Sequence, residues 1–118
     1  MNFDLVPWAV FTHPPVAGVG IDQATAEGKG MDVGVKKAQF SRAGRATIIG
    51  ETDGFVKVVY DKKTNNILGC TIVGPGADDL IHEFAAVMNS SSPTIDVIDK
   101  TIHVHPTLSE VMEALKDV

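Results

Sequence analysis

The sequence predicts an α+β domain, mainly an antiparallel sheet with flanking helices, and three observations carry that reading. First, β-branched and aromatic residues concentrate in residues 55–60 and 67–73. The segment between them, Asp61-Lys62-Lys63-Thr64-Asn65-Asn66, has turn composition, so the three together read as a hairpin. Second, Ala77, Leu80, Ile81, Phe84, Ala85 and Met88 recur at helical spacing. Third, strands come early in the chain and helices late, an order that separates α+β from alternating α/β.

The elements follow in order. Residues 8–11 form a short apolar run, a strand ended by Thr12-His13-Pro14-Pro15, because residues before proline avoid the helical region. Trp8 and Phe11 read as core side chains. Residues 16–20 make a second strand. Asp22 stands where a helix cap belongs, and residues 23–27 give a short helix stopped by Gly28 and Gly30. In 31–40, Val33 and Val35 alternate with polar neighbours, the pattern of a half-buried strand. Residues 41–50 read as irregular. Arg42 and Arg45, with Lys36 and Lys37 nearby, read as a solvated basic stretch. After the hairpin, Gly74-Pro75-Gly76 breaks the strand and the helix over 77–88 begins. Ser90-Ser91-Ser92-Pro93 ends it. Residues 94–100 form a second short helix with Thr94 as its cap and Ile95 and Ile98 as apolar contacts. Residues 101–106 are extended, and 108–115 close the chain as a helix. No repeat, low-complexity tract or linker interrupts this order, so residues 1–118 are assigned to one domain.

Composition bounds the function. With 118 residues, 44% of them hydrophobic, and a net charge of -5, the chain has enough apolar content for one core and too much for disorder. No apolar run approaches the roughly 18 residues of a membrane span. Met1-Asn2-Phe3-Asp4 has no basic region ahead of an apolar one, so it does not read as a secretory signal. Ten Lys+Arg against fifteen Asp+Glu argue against a nucleic-acid surface. The single cysteine, Cys70, excludes an internal disulfide, a Cys-based zinc cluster and an intramolecular dithiol cycle. It lies in an apolar strand and reads as a buried packing thiol, consistent with a reducing, cytoplasmic compartment. Gly18-Val19-Gly20 and Gly74-Pro75-Gly76 do not complete a dinucleotide fingerprint, since Gln23 and Asp79 stand at the third glycine.

The chemistry concentrates in His103-Val104-His105-Pro106-Thr107-Leu108-Ser109-Glu110. Thr107-Leu108-Ser109-Glu110 fits a capping box, in which Thr107 caps the last helix and Glu110 folds back over its start. On a continuous helix His105 and Glu110 would lie about 140° apart. With His105 outside the helix, the backward-pointing carboxylate meets it. A carboxylate beside an imidazole fixes its tautomer, the working arrangement of a general acid/base. A metal reading competes: His103 and His105 share a face of a strand, and His82 and Glu83 could add ligands. Otherwise His82 and Glu83 read as surface or contact residues.

At this point the residues reach a resemblance. His105-Pro106-Thr107-Leu108-Ser109-Glu110 resembles the C-terminal signature of the flavin-dependent pyridine nucleotide-disulfide oxidoreductases, in form most like their dihydrolipoamide dehydrogenase branch. Val10-Phe11-Thr12-His13-Pro14-Pro15-Val16-Ala17-Gly18-Val19-Gly20 resembles the opening of the same domain. Tyr60-Asp61-Lys62-Lys63-Thr64-Asn65-Asn66-Ile67-Leu68-Gly69-Cys70 resembles its hairpin, followed by Ile72-Val73-Gly74 and Leu80-Ile81-His82-Glu83. The matches stand in family order from about residue 6 to about residue 115.

The resemblance implies the family's C-terminal dimerisation domain, a homodimer contact that places its motif histidine in the partner subunit's active site. His105 is then the catalytic acid/base and Glu110 its orienting carboxylate, acting on a dithiol/disulfide substrate. The family often has a cis bond before the motif proline, expected here at His105-Pro106 and also at His13-Pro14. FAD and NAD(P) belong to the implied full-length enzyme. This chain lacks the flavin- and nicotinamide-binding domains and the paired redox cysteines, so no cofactor-binding or metal residue is assigned to it and it is not expected to turn over alone. It reads as a fragment of a longer enzyme. The alternatives are a stand-alone module that binds itself or a flavoprotein without catalysis, and a small metal-binding protein.

Overall fold

A computed structural model describes residues 1–117. Five strands make one antiparallel sheet: β1 (Trp8–Val10), β2 (Val16–Gly20), β3 (Val33–Gln39), β4 (Phe55–Asp61) and β5 (Ile67–Val73). Their order is β1-β2-β5-β4-β3. The β4–β5 hairpin therefore sits at the centre, and its register runs Phe55 opposite Val73 to Tyr60 opposite Ile67, with an irregularity at Val59/Tyr60.

Register explains which side chains are buried, because residues directly opposite one another share a face. One row crosses all five strands: Ala9, Ala17, Ile72, Val56 and Ala38. A second row runs Val19, Cys70, Val58 and Lys36. The helices cover this face. Helix α3 (Ala77–Met88) packs on β1, β2 and β5, and the closing 3-10 helix, Leu108–Asp117, packs on β3. The core contains Phe40, Ile72, Ile81, Phe84, Ile98, Met112 and Leu115, all fully buried. At the sheet edge Lys36 ends its row in a 3.7 Å ion pair with Asp99.

The opposite face of the sheet is only partly covered, with Val59 buried on it and the Ile21 backbone against Gly69, and the rest of it is open. This corrects two expectations. In β3 the buried positions are Gly34 and Ala38, while Val35 lies on the open face and is exposed. Trp8 is likewise exposed: its indole lies against Gly18 on the open face of edge strand β1. Phe11 lies just past the end of β1 and is also exposed, so neither aromatic belongs to the core. Apolar content alone could not distinguish a covered face from an open one.

Helix α1 (Gln23–Gly28) begins as expected. The Asp22 carboxylate accepts the Thr25 main-chain N–H at 2.7 Å. Residues 41–50, expected to be irregular, instead hold the end of a 3-10 turn, Phe40–Arg42, and helix α2 (Gly44–Ile49). Helix α2 has no side-chain cap and buries only Ala46, leaving Ile48 and Ile49 exposed, so it carries neither a start signal nor an apolar stripe. The expected basic loop is thus dispersed over β3, the turn and α2, and Lys37 lies 4.1 Å from the centre of the Phe55 ring.

Helix α4 (Ile95–Lys100) buries Ile95 and Ile98 as expected, but the Thr94 side chain makes no cap bond. Instead Asn65, in the hairpin turn with φ of 62°, accepts the Ile95 N–H at 2.9 Å. No helix among the described residues is long and apolar enough to cross a membrane.

Candidate functional site

The site sits where the extended segment 101–106 meets the start of the closing helix. The His105-Pro106 and His13-Pro14 bonds are both cis, as the resemblance implies. Glu110 lies in the first turn of the helix and turns back. Its Oε1 accepts the Thr107 main-chain N–H at 3.0 Å, and both carboxylate oxygens lie 3.0 Å from His105 Nδ1.

Half of the expected capping box is therefore present. The other half is not: the Thr107 hydroxyl donates backwards to the Val104 carbonyl at 2.6 Å. The helix starts in 3-10 geometry, with the Glu110 N–H directed at the Thr107 carbonyl.

The pair has defined electrostatics. The Thr107 N–H, and after it the His105 ring, hold the Glu110 carboxyl below its usual range. An ionised carboxylate only accepts, so His105 Nδ1 carries the proton of this contact. The Nδ1–H tautomer leaves Nε2 as a lone pair for a reacting proton. The Glu110 side chain is 16% exposed while the His105 side chain is 78% exposed, so the orienting group is embedded and the oriented one projects. They border an open cleft of about 270 Å³ lined also by Arg42, Gly44, Glu113 and Ala114.

The metal reading is not supported by this arrangement. His103 and His105 do not share a face, because 101–106 belongs to no sheet and its side chains need not alternate with period two. His103 turns inwards and its Nε2 lies 2.9 Å from Glu83 Oε2 on α3, with a side chain only 5% exposed. Among the described residues no group of three His, Cys, Asp or Glu side chains is arranged to hold a metal. Glu83, expected at the surface or in a contact, thus has an internal partner, whereas His82 is exposed. Sequence spacing offered no signal for the Glu83–His103 pair, since it closes across twenty positions.

Cys70 is buried, and burial pushes its thiol well above the usual range, as expected of a packing residue. The cleft by His105 is open and presents two carboxylates, Glu110 and Glu113, together with Arg42.

Comparison with known proteins gives consistent matches. Residues 6–115 match the family model described as pyridine nucleotide-disulphide oxidoreductase, dimerisation domain. Dihydrolipoyl dehydrogenase 3 of Haloarcula marismortui is 39% identical over 118 residues, covering 99% of this chain and 24% of the relative. Dihydrolipoyl dehydrogenase of Haloferax volcanii is 43% identical over 113 residues, covering 95% and 24%. Among solved structures, the HOCl-induced flavoprotein disulfide reductase RclA of Escherichia coli superposes with a TM-score of 0.86 at 28% identity, over 98% of this chain and 26% of that one. LpdA of Mycobacterium tuberculosis superposes with a TM-score of 0.87 at 26% identity, over 99% and 26%. The chain spans about a quarter of the length of these relatives.

Proposed function

The chain belongs to the pyridine nucleotide-disulphide oxidoreductase family, as a dimerisation domain like that of the dihydrolipoyl dehydrogenases, and from that premise we propose that it supplies the His105–Glu110 acid/base pair to the active site of a partner subunit. The observation that carries the proposal is the pair itself: an embedded, ionised carboxylate holds one nitrogen of an imidazole that otherwise projects from the domain. Residues 1–118 act as one unit in this role. The complete enzyme is a homodimer that oxidises or reduces a dithiol/disulfide substrate, with FAD and NAD(P) held outside this chain and supplying the electron path when bound.

The chemistry follows from thiol reactivity. A thiolate, not a thiol, attacks a disulfide, and an ordinary thiol with pKa of about 8.5 is mostly protonated at neutral pH. His105 Nε2 takes the substrate S–H proton as the sulfur attacks one sulfur of a redox disulfide in the partner subunit. The S–S bond breaks and its second sulfur leaves as a thiolate. Glu110 keeps the ring in the required tautomer and stabilises the imidazolium that results. In the reverse direction the same imidazolium returns the proton.

Exposed Ile102 and Val104, beside His105, favour a protein contact here over a solvated surface. Exposed Trp8, Val10 and Phe11 add further apolar area elsewhere on the domain.

In the complete flavoenzyme carrying this domain, His105→Gln should lower dithiol turnover by about 10²- to 10⁴-fold, the usual contribution of a general acid/base, with dimer and flavin content unchanged. Unchanged turnover would end the acid/base role. Sedimentation equilibrium of the 118-residue chain over a range of concentrations tests the contact, and reversible dimerisation is the expected result. A monomer at every concentration would show that this domain does not carry the contact without the rest of the enzyme.

A further inference from the structure

We infer that Glu83 is a positioning residue for His105, acting through His103, which pins the extended segment to helix α3. The inference rests on the role proposed above for His105 and identifies what holds that side chain in place.

Apart from the Glu110 contact at His105, the segment has little else to hold it. Among the described residues no main-chain hydrogen bond outside the helices and strands involves residues 102–106. Ile102, Val104, His105 and Pro106 are all exposed. At one end the Thr101 N–H bonds the Ile98 carbonyl at 3.2 Å, and at the other the Thr107 hydroxyl bonds the Val104 carbonyl. Between them, among the described residues, His103 is the single side chain directed inwards, and its one hydrogen-bonding partner is Glu83, three-quarters buried on α3.

The contact is built for anchoring. Glu83 faces the segment from a helix whose neighbours Phe84 and Ala85 are packed in the core, so the carboxylate has a rigid base. A hydrogen bond to a carboxylate is among the stronger kinds. Its geometry assigns His103 the Nε2–H tautomer, leaving Nδ1, which is buried with no partner, as a bare lone pair. The two histidines thus take opposite tautomers for opposite tasks. His103 spends its one N–H on the scaffold, and His105 spends its own on Glu110 and keeps Nε2 free. A single residue, Val104, separates the anchor from the reacting ring, a span short enough for movement at His103 to displace His105 directly.

The test is nuclear magnetic resonance of the 118-residue chain with labelled histidine rings and main chain. In the wild type, the His105 Nδ1–H shows a hydrogen-bonded signal and residues 102–105 have order parameters near about 0.85, those of a rigid backbone. In Glu83→Ala that signal is lost and the order parameters fall below about 0.6, while the signals of the sheet and α3 stay in place. Glu83→Gln, which keeps an oxygen acceptor for His103, retains the wild-type signature. His103→Ala reproduces Glu83→Ala and serves in its place if that variant fails to fold. An unchanged His105 signal in both alanine variants would overturn the inference, as would a wild-type segment that is already mobile. No turnover is read, so failure of this contact and failure of the acid/base role are separate results.

Discussion

Gly69→Ala tests whether sheet and helix α1 are joined by close backbone contact. Gly69 lies in β5 opposite Gly20 and Val59. A methyl added there would sit 1.9 Å from the Ile21 carbonyl oxygen and 2.9 Å from two further Ile21 backbone atoms. Ile21 follows β2 directly, and its N–H bonds the Leu68 carbonyl at 3.0 Å. No side-chain rotation relieves the overlap, so the strand or the Ile21 link must shift. Losing that hydrogen bond costs about 0.5–1.5 kcal/mol, and overpacking costs about 1–3 kcal/mol. Alanine recovers about 0.4–1 kcal/mol by restricting the unfolded chain. The net expectation is a loss centred near about 2 kcal/mol, within roughly 0.5–4, out of the roughly 5–15 kcal/mol typical of a domain. Urea unfolding of the isolated chain measures it. At a slope of about 1–3 kcal/mol/M that central loss lowers the midpoint by about 0.7–2 M. Gly28→Ala is the control: a methyl there meets nothing within 4 Å, at the end of α1, and it should raise the midpoint slightly. A Gly69→Ala midpoint equal to the wild type's, at unchanged slope, would refute the close-contact reasoning.

Three further outcomes follow from the same geometry. Leu115→Ala empties a fully buried position in the helix that carries Glu110, costing about 2–5 kcal/mol and lowering Tm by more than about 8 °C in a thermal melt. The Glu110 carboxyl lies below its usual range in the folded protein, so its contribution is complete above the unfolded value of about 4.3 and is lost as pH falls through the folded value. The stability gap between wild type and Glu110→Gln should therefore shrink on acidification below that point, and a gap independent of pH would contradict the assignment. Cys70 should react with thiol reagents only through opening of the fold, so its labelling rate should rise by orders of magnitude in denaturant. Fast native labelling would contradict burial.

Much of the domain was legible in the sequence because its strongest signals are local. The hairpin announced itself by composition, α3 by periodicity, and α1 by Asp22, whose cap bond needs only the next three residues. The Glu110–His105 pair was legible for the same reason: a carboxylate in the first turn of a helix points back at the residues just before it. Helix α2 was not legible, since it has no cap and buries a single alanine.

What only the tertiary structure decided are the relations between distant segments. Which face of the sheet α3 and the closing helix cover is a matter of packing. It buried Ala38 and exposed Val35, and it left Trp8 on the open side. The Glu83–His103 contact is of the same kind, closing between a helix and an extended segment that no sequence period connects. Caps, turns and helical periods are short-range consequences of backbone hydrogen bonding and can be read along the chain. Burial and charge pairing across the fold depend on which surfaces meet, and that is settled only when the whole core forms.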